Sequence, residues 1–164
     1  MDQASWWTRA VKFWKRSASP ETQEPSDASD PARVRLVIDT EVFVVAARTP
    51  NSASRRVLDA VVAGRATLLV DPVVFVEYRQ RLPRVLRSDD RERLIRSWIG
   101  RAETIAGGDH KPSRAAYDDK FVALAAAGKA DAIVSNDERR LRLRNRLDIP
   151  VLRPDEALRM IGGA

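Results

Sequence analysis

A chain of 164 residues is one ordinary domain with room for a tail, and a hydrophobic content of 44% is enough to build a core. It has no cysteine and a single histidine, His110, which excludes a disulfide framework, a zinc–thiolate site and a thiol nucleophile, and argues against a His-rich metal site or a Ser-His-Asp triad. The formal charge of +6, carried mainly by arginine, suits a polyanionic partner such as nucleic acid. Catalysis, where it occurs, must lean on carboxylates, hydroxyls, Arg and Lys. The lack of cysteine fits a reducing, cytoplasmic setting. No apolar run approaches the roughly 20 residues of a membrane span, and the N-terminus lacks the continuous apolar core of a secretory signal.

Residues 1–33 stand apart. SWWTRAVKFWKRS sets Trp6, Trp7, Ala10, Val11, Phe13 and Trp14 at near-helical spacing, with Arg9, Lys12, Lys15 and Arg16 between them. This is a short basic amphipathic helix, near the roughly 12–15 residue limit for helices alone in water. ASPETQEPSDASDPA, rich in Pro, Ser, Asp and Glu, reads as a disordered linker. Three roles stay open for the Trp-rich segment: a disordered extension, docking on a partner or on a second copy in a homodimer, or peripheral contact with an anionic membrane surface. The folded body is 34–164. Counted from Arg33 it carries 25 basic and 18 acidic residues, net +7.

The body alternates strand and helix. VRLVID is a β-branched strand, and SRRVLDAVVAGR a helix with Ser52 or Ser54 near its start and Gly64 as a stop. ATLLVD is a second strand. DPVVFVEYRQRL is a helix with Asp71 as N-cap and Pro72 at its first position, broken or kinked at Pro83. SDDRERLIRSWIGRAE is a helix, ETIA a weak strand, and YDDKFVALAAAGKA a helix ending at Gly128. DAIVS is a strand, DERRLRLRNRL a short helix, IPVLR a last strand and PDEALRMI a closing helix. Strands separated by helices predict a mainly parallel sheet covered on both faces. Ligands of such sheets collect at the carboxyl ends of the strands, near the switch in strand order.

The acids fall at that edge. Asp39 ends the first strand and Asp71 the second, and Glu77 lies about one and a half turns into the following helix. Asp118 and Asp119 open the helix before AIVS, and Asp137 follows that strand after Ser135 and Asn136. Four separate segments thus aim carboxylates at one place. Packed carboxylates repel each other unless cations sit among them. Oxygen-only ligands favour Mg²⁺ or Mn²⁺ over zinc, and such sites position phosphates and activate water. A basic body beside an acidic metal pocket suits the cutting of nucleic acid.

VIDTEVFV, VFVEYRQRL, YDDKFVALAAAGKADAIVSND and IPVLRPDEAL resemble, in order and spacing, the motifs of a PIN domain, and most nearly those of bacterial toxin-like PIN proteins related to the VapC toxins. The resemblance covers roughly residues 34–160. It implies a three-layer α/β/α fold and a Mg²⁺- or Mn²⁺-dependent endoribonuclease in which metal-activated water attacks an RNA phosphodiester. It also implies the toxin half of a toxin–antitoxin pair, inhibited by a cognate antitoxin that fills the acidic cleft. Carried over by position, the catalytic and metal-binding acids are Asp39, Glu77, Asp119 and Asp137. Asp118 is an adjacent extra acid, Ser135 takes the place of a small hydroxyl residue, and Asn136 stands beside it. Family members usually have Asn two residues after the first Asp, where this chain has Glu41. That acid adds charge to the site, shifts metal preference, weakens activity or points into solvent.

Each of these residues also has a structural reading. Asp39 and Asp137 suit caps, Glu77 a solvated helix position, and Asp118 and Asp119 a helix N-terminus. Asp71 and Asp131 read as cap or turn residues, and His110 as part of a solvated loop. Arg79, Arg81, Arg84 and Arg87 flank Pro83, and Arg139, Arg140, Arg142, Arg144 and Arg146 crowd the segment after Asp137. Of these, Arg79, Arg139 and Arg140 are the candidate RNA phosphate contacts, with a solvated helix face as the alternative. No stacking-aromatic RNA motif occurs, so no base specificity is expected. Glu41 and the tail also admit a catalytically weak PIN-like module that binds RNA or protein. A phosphoacceptor receiver domain would want Lys after the last strand, and a haloacid-dehalogenase phosphatase would want Asp in place of Glu41. Neither condition is met.

Overall fold

The computed structural model describes residues 33–84, 88–106 and 119–162. The Trp-rich segment and linker, Arg87, the loop with His110, and Asp118 lie outside them. The chain runs β1 (Val34–Ile38), α1 (Thr40–Arg48), α2 (Ala53–Val62), β2 (Ala66–Val70) and α3 (Pro72–Arg81), which passes into a 3₁₀ turn (Leu82–Arg84). It continues with α4 (Asp89–Ile99), β3 (Glu103–Thr104), α5 (Lys120–Ala127), β4 (Ala132–Val134), α6 (Glu138–Leu141), β5 (Val151–Leu152) and α7 (Pro154–Gly162). The five strands pair in parallel in the order β3-β2-β1-β4-β5. With helices on both faces this is the expected α/β/α arrangement.

The central strands show why. A parallel sheet covered on both faces reads as a near-continuous apolar run, and Leu36, Val37 and Ile38 of β1, like Leu68 and Leu69 of β2, are fully buried. The helix signals are local. Ser52 accepts a hydrogen bond from the Arg55 N–H at 3.1 Å. Asp71 accepts one from the Val74 N–H at 2.7 Å, with Pro72 at the first helical position. At Pro83 the α-helix gives way to the 3₁₀ turn, as a residue lacking an N–H requires. Gly128 ends α5 against the sheet: a Cβ there would lie 2.8 Å from Leu69 Cδ1 and 3.1 Å from Ile105 Cγ1. The same residue's carbonyl accepts from Arg35, whose guanidinium also forks onto Glu103 at 2.8 and 3.0 Å, tying β1 to β3 across β2. Asp131 is structural, accepting from the Arg35 N–H at 2.7 Å.

One element has no counterpart in the sequence reading. Helix α1 contains the run Val42-Phe43-Val44-Val45, which has the composition of a strand. Asp39 at its N-cap makes no side-chain cap bond, so capping chemistry does not mark it either. Burial decides: Val42, Phe43, Ala46 and Ala47 fall inward at helical spacing. Two other elements are shorter than expected. The helix after Asp137 ends at Leu141 rather than near Leu147, and β5 keeps only two residues. A row of aromatic rings runs through the core. Trp98 lies edge-on to Phe43 at 6.0 Å, Phe43 against Tyr78 at 4.8 Å, and Tyr78 against Phe121 at 6.4 Å. Among the described residues no helix is long and apolar enough to cross a membrane.

Replacing Asp71 by Ala removes a buried cap at the head of α3. The expected cost is about 1–2 kcal/mol of stability, read as a lower denaturation midpoint in urea with an unchanged slope. Asp71→Asn, which keeps an acceptor, is expected to lose less.

Candidate active site

The strand order places the site. From β1 the chain moves to β2 on one side and only later to β4 on the other, so the carboxyl ends of β1 and β4 flank the switch point. Ile38 is paired with Val134, which sets Asp39 and Ser135 side by side just beyond the strands. The Asp39 N–H donates to the Val134 carbonyl at 2.9 Å. The Ser135 hydroxyl donates to Asp39 Oδ2 at 2.6 Å and accepts from the Asp137 N–H at 3.0 Å. The hydroxyl proton therefore has one destination, the Asp39 carboxylate. Both side chains are buried, Asp39 being only 2% exposed.

Arg140, on α6, completes the group. Its Nη1 contacts the same Asp39 Oδ2, and its Nε donates to Asp119 Oδ2 at 2.8 Å. The guanidinium lies over the Phe121 ring, 4.6 Å from its centroid, and the side chain is 14% exposed. Asp119 has two tasks: Oδ1 caps α5 through the Phe121 N–H at 2.9 Å, while Oδ2 holds Arg140. Burial tends to lower the Arg140 pKa, but the charges and hydrogen bonds of Asp39 and Asp119 more than reverse this and raise it.

Glu77, on α3 and 9% exposed, is met by three donors among the described residues. They are Thr40 Oγ1 at 3.0 Å, Arg81 Nη1 at 3.2 Å and the Lys120 ammonium. Burial pushes the Glu77 carboxyl up; the Lys120 and Thr40 hydrogen bonds, the Lys120 charge and the Arg81 hydrogen bond outweigh it, so its pKa lies below the usual glutamate value. Two pairs of chain neighbours organise the site. Asp39 and Asp119 both meet Arg140, while the residues after them, Thr40 and Lys120, both meet Glu77.

The remaining expected residues lie around this centre. Asp137 follows Ser135 by two residues, and its carboxylate caps α6 through the Arg139 N–H at 2.8 Å. Asn136 donates to Ser54 Oγ at 3.1 Å. Glu41, half-exposed in the first turn of α1, faces Arg81 at 4.0 Å on the rim. Arg79 and Arg139 are exposed, as phosphate contacts need to be, but Arg140 is engaged by the two aspartates.

Thr40, Lys120 and Tyr78 are site components absent from the sequence reading. Lys120 did carry a signal, because a cation at the first position of a helix opposes the helix dipole and implies a partner. Tyr78 lies under the site with its hydroxyl donating to the Ile38 carbonyl, beside Asp39. Burial, then the charges of Asp39, Glu77 and Asp71, raise its pKa well above the usual tyrosine value. It is a neutral donor that anchors the end of β1.

The carboxylates Asp39, Glu77 and Asp119, without a thiol or imidazole among their contacts in the described residues, have the chemistry of a site for a hard divalent cation. Arg140 and Lys120 place positive charge among them. In this arrangement no three acids or histidines of the described residues are grouped as a ready ligand set. Asp39 and Asp119 are joined through a guanidinium, and Glu77 is held by an ammonium.

A family model for the PIN domain matches residues 35–139, a span that includes Asp39, Glu77, Asp119 and Asp137. Neither the comparison with curated proteins nor that with solved structures gave a match.

The depressed Glu77 pKa gives a pH signature in chelator-treated buffer. The unfolded chain takes up the Glu77 proton at a higher pH than the folded one, so stability from this carboxylate is complete above the usual glutamate range. It is lost as pH falls through the folded-state value. Wild type is therefore expected to exceed Glu77→Gln in stability at neutral pH, with the difference shrinking on acidification. Denaturation midpoints measured across pH check this.

Proposed function

We propose, since the chain belongs to the PIN domain family, that it is a metal-dependent endoribonuclease. PIN domains are generally nucleases that act on nucleic acids and usually use divalent metals. The observation that carries the reading is the meeting of Asp39 from the end of β1 with Asp119 from the head of α5 on a single cationic group, with Glu77 from α3 alongside. Asp39, Glu77 and Asp119 would hold Mg²⁺ or Mn²⁺, with Asp137 as a further carboxylate at the same edge. Bound there, the ion would polarise a phosphoryl oxygen and supply a water of lowered pKa.

The protein's own part is positioning. Ser135 fixes the Asp39 carboxylate, Thr40 fixes that of Glu77, and the Phe121 N–H fixes that of Asp119. Exposed Arg79 and Arg139 are suited to RNA phosphates, where they add affinity without reading sequence. The resemblance to toxin-like PIN proteins supports a cytoplasmic toxin restrained by a cognate antitoxin. One observation favours a second reading, a module that binds RNA or protein with little turnover: Asp39, Glu77 and Asp119 are each paired with a cation of the same chain.

Incubation of the full chain with single-stranded RNA and Mg²⁺ or Mn²⁺ is expected to give cleavage that EDTA stops. Asp39→Asn and Asp119→Asn should each lose on the order of 100-fold or more, and Ser135→Ala about 10- to 100-fold, as for residues that orient a metal ligand. Full activity in both aspartate variants would reject the site. RNA retention without cleavage under either metal would favour the binding module.

A further inference from the structure

We propose that Arg140 is a built-in competitor for the metal, a tethered cation that bridges Asp39 and Asp119 and must leave before a divalent ion can be held between them. This rests on the metal-site reading above. The argument is one of lone pairs. A carboxylate oxygen accepts about two hydrogen bonds, and Asp39 Oδ2 already receives Ser135 Oγ and Arg140 Nη1. Ser135 is fully buried and held in turn by the Asp137 N–H, so it is the fixed member of the pair. On Asp119, Oδ1 is committed to capping α5, and the other oxygen is the one that Arg140 takes. A metal joining the two aspartates through these oxygens therefore claims the position of the guanidinium. Retaining both cations there would set like charges against each other in a poorly hydrated pocket.

The bridge is built to persist. The guanidinium presents a planar fork that serves both acids, which the point charge of a lysine cannot do. It is also stacked on Phe121. Lys120, by contrast, meets Glu77 alone and is 42% exposed, so it can withdraw into solvent without breaking a bridge. Arg140 thus separates two demands on the site. It neutralises the acids when no metal is bound, and it sets a threshold that the metal must exceed.

Calorimetric titration of the full chain with Mn²⁺ tests this without reference to activity. A bridge populated about 90% of the time lowers apparent affinity about 10-fold. Arg140→Gln is therefore expected to bind Mn²⁺ about 10-fold more tightly than wild type, with Arg140→Lys, which keeps the charge but loses the fork, in between. Equal or weaker binding by both variants overturns the competition. If Asp39→Asn abolishes binding in that case, the metal-site reading still stands. If Asp39→Asn binds Mn²⁺ as wild type does, the ion lies elsewhere and both readings fall.

Discussion

Asp39 ends the central strand with its carboxylate almost out of reach of water, and a charge so placed has to be met by donors and cations. The surroundings supply both. Ser135 reaches it from the neighbouring strand, and Arg140 from a helix one turn further along the chain. Because Arg140 serves two acids, the same requirement draws in Asp119 and with it the head of α5. Tyr78 holds the carbonyl just before Asp39. Three loops and a buried phenol are thus set by the need to accommodate one carboxylate.

Among the described residues four aspartates occupy N-cap positions, and one of these does not cap. Asp71, Asp119 and Asp137 each accept a hydrogen bond from a backbone N–H in the first turn of their helices. Asp39 precedes α1 with the extended backbone of a cap, yet its carboxylate turns to Ser135 and Arg140 instead. The first turn of α1 forgoes its side-chain cap, at some cost in helix stability. The positive end of the α1 dipole still favours the negative charge beside it.

The parallel sheet and most helices were legible because their signals are local. Asp71-Pro72 opens α3, Gly128 closes α5, and β1 and β2 are short, uninterrupted apolar runs. Helix α1 was not, since its valines have strand composition and the residue that should announce it is engaged elsewhere. The approach of Asp39 and Asp119 to one another could be read from the rule that helices begin at the carboxyl edge. Their counter-charges could not. Arg140 is one of several arginines in a short stretch, and nothing in the spacing separates the one that turns inward from Arg139, which stays exposed. Glu41 is similar: two residues from Asp39 in the chain, it starts a helix whose turn carries it to the rim, opposite Arg81.

The sheet ends in very short strands, two residues in β3 and two in β5, and β5 is preceded by Pro150 and followed by Arg153. A proline offers no N–H, and a two-residue border gives an incoming peptide almost no ladder to extend. Strand addition is a common way for one chain to capture another. At the β5 border this domain is poorly made for it, which protects it from stacking edge to edge with its own copies. Association on that side would have to be specified by side chains, and so by charge on this arginine-rich surface.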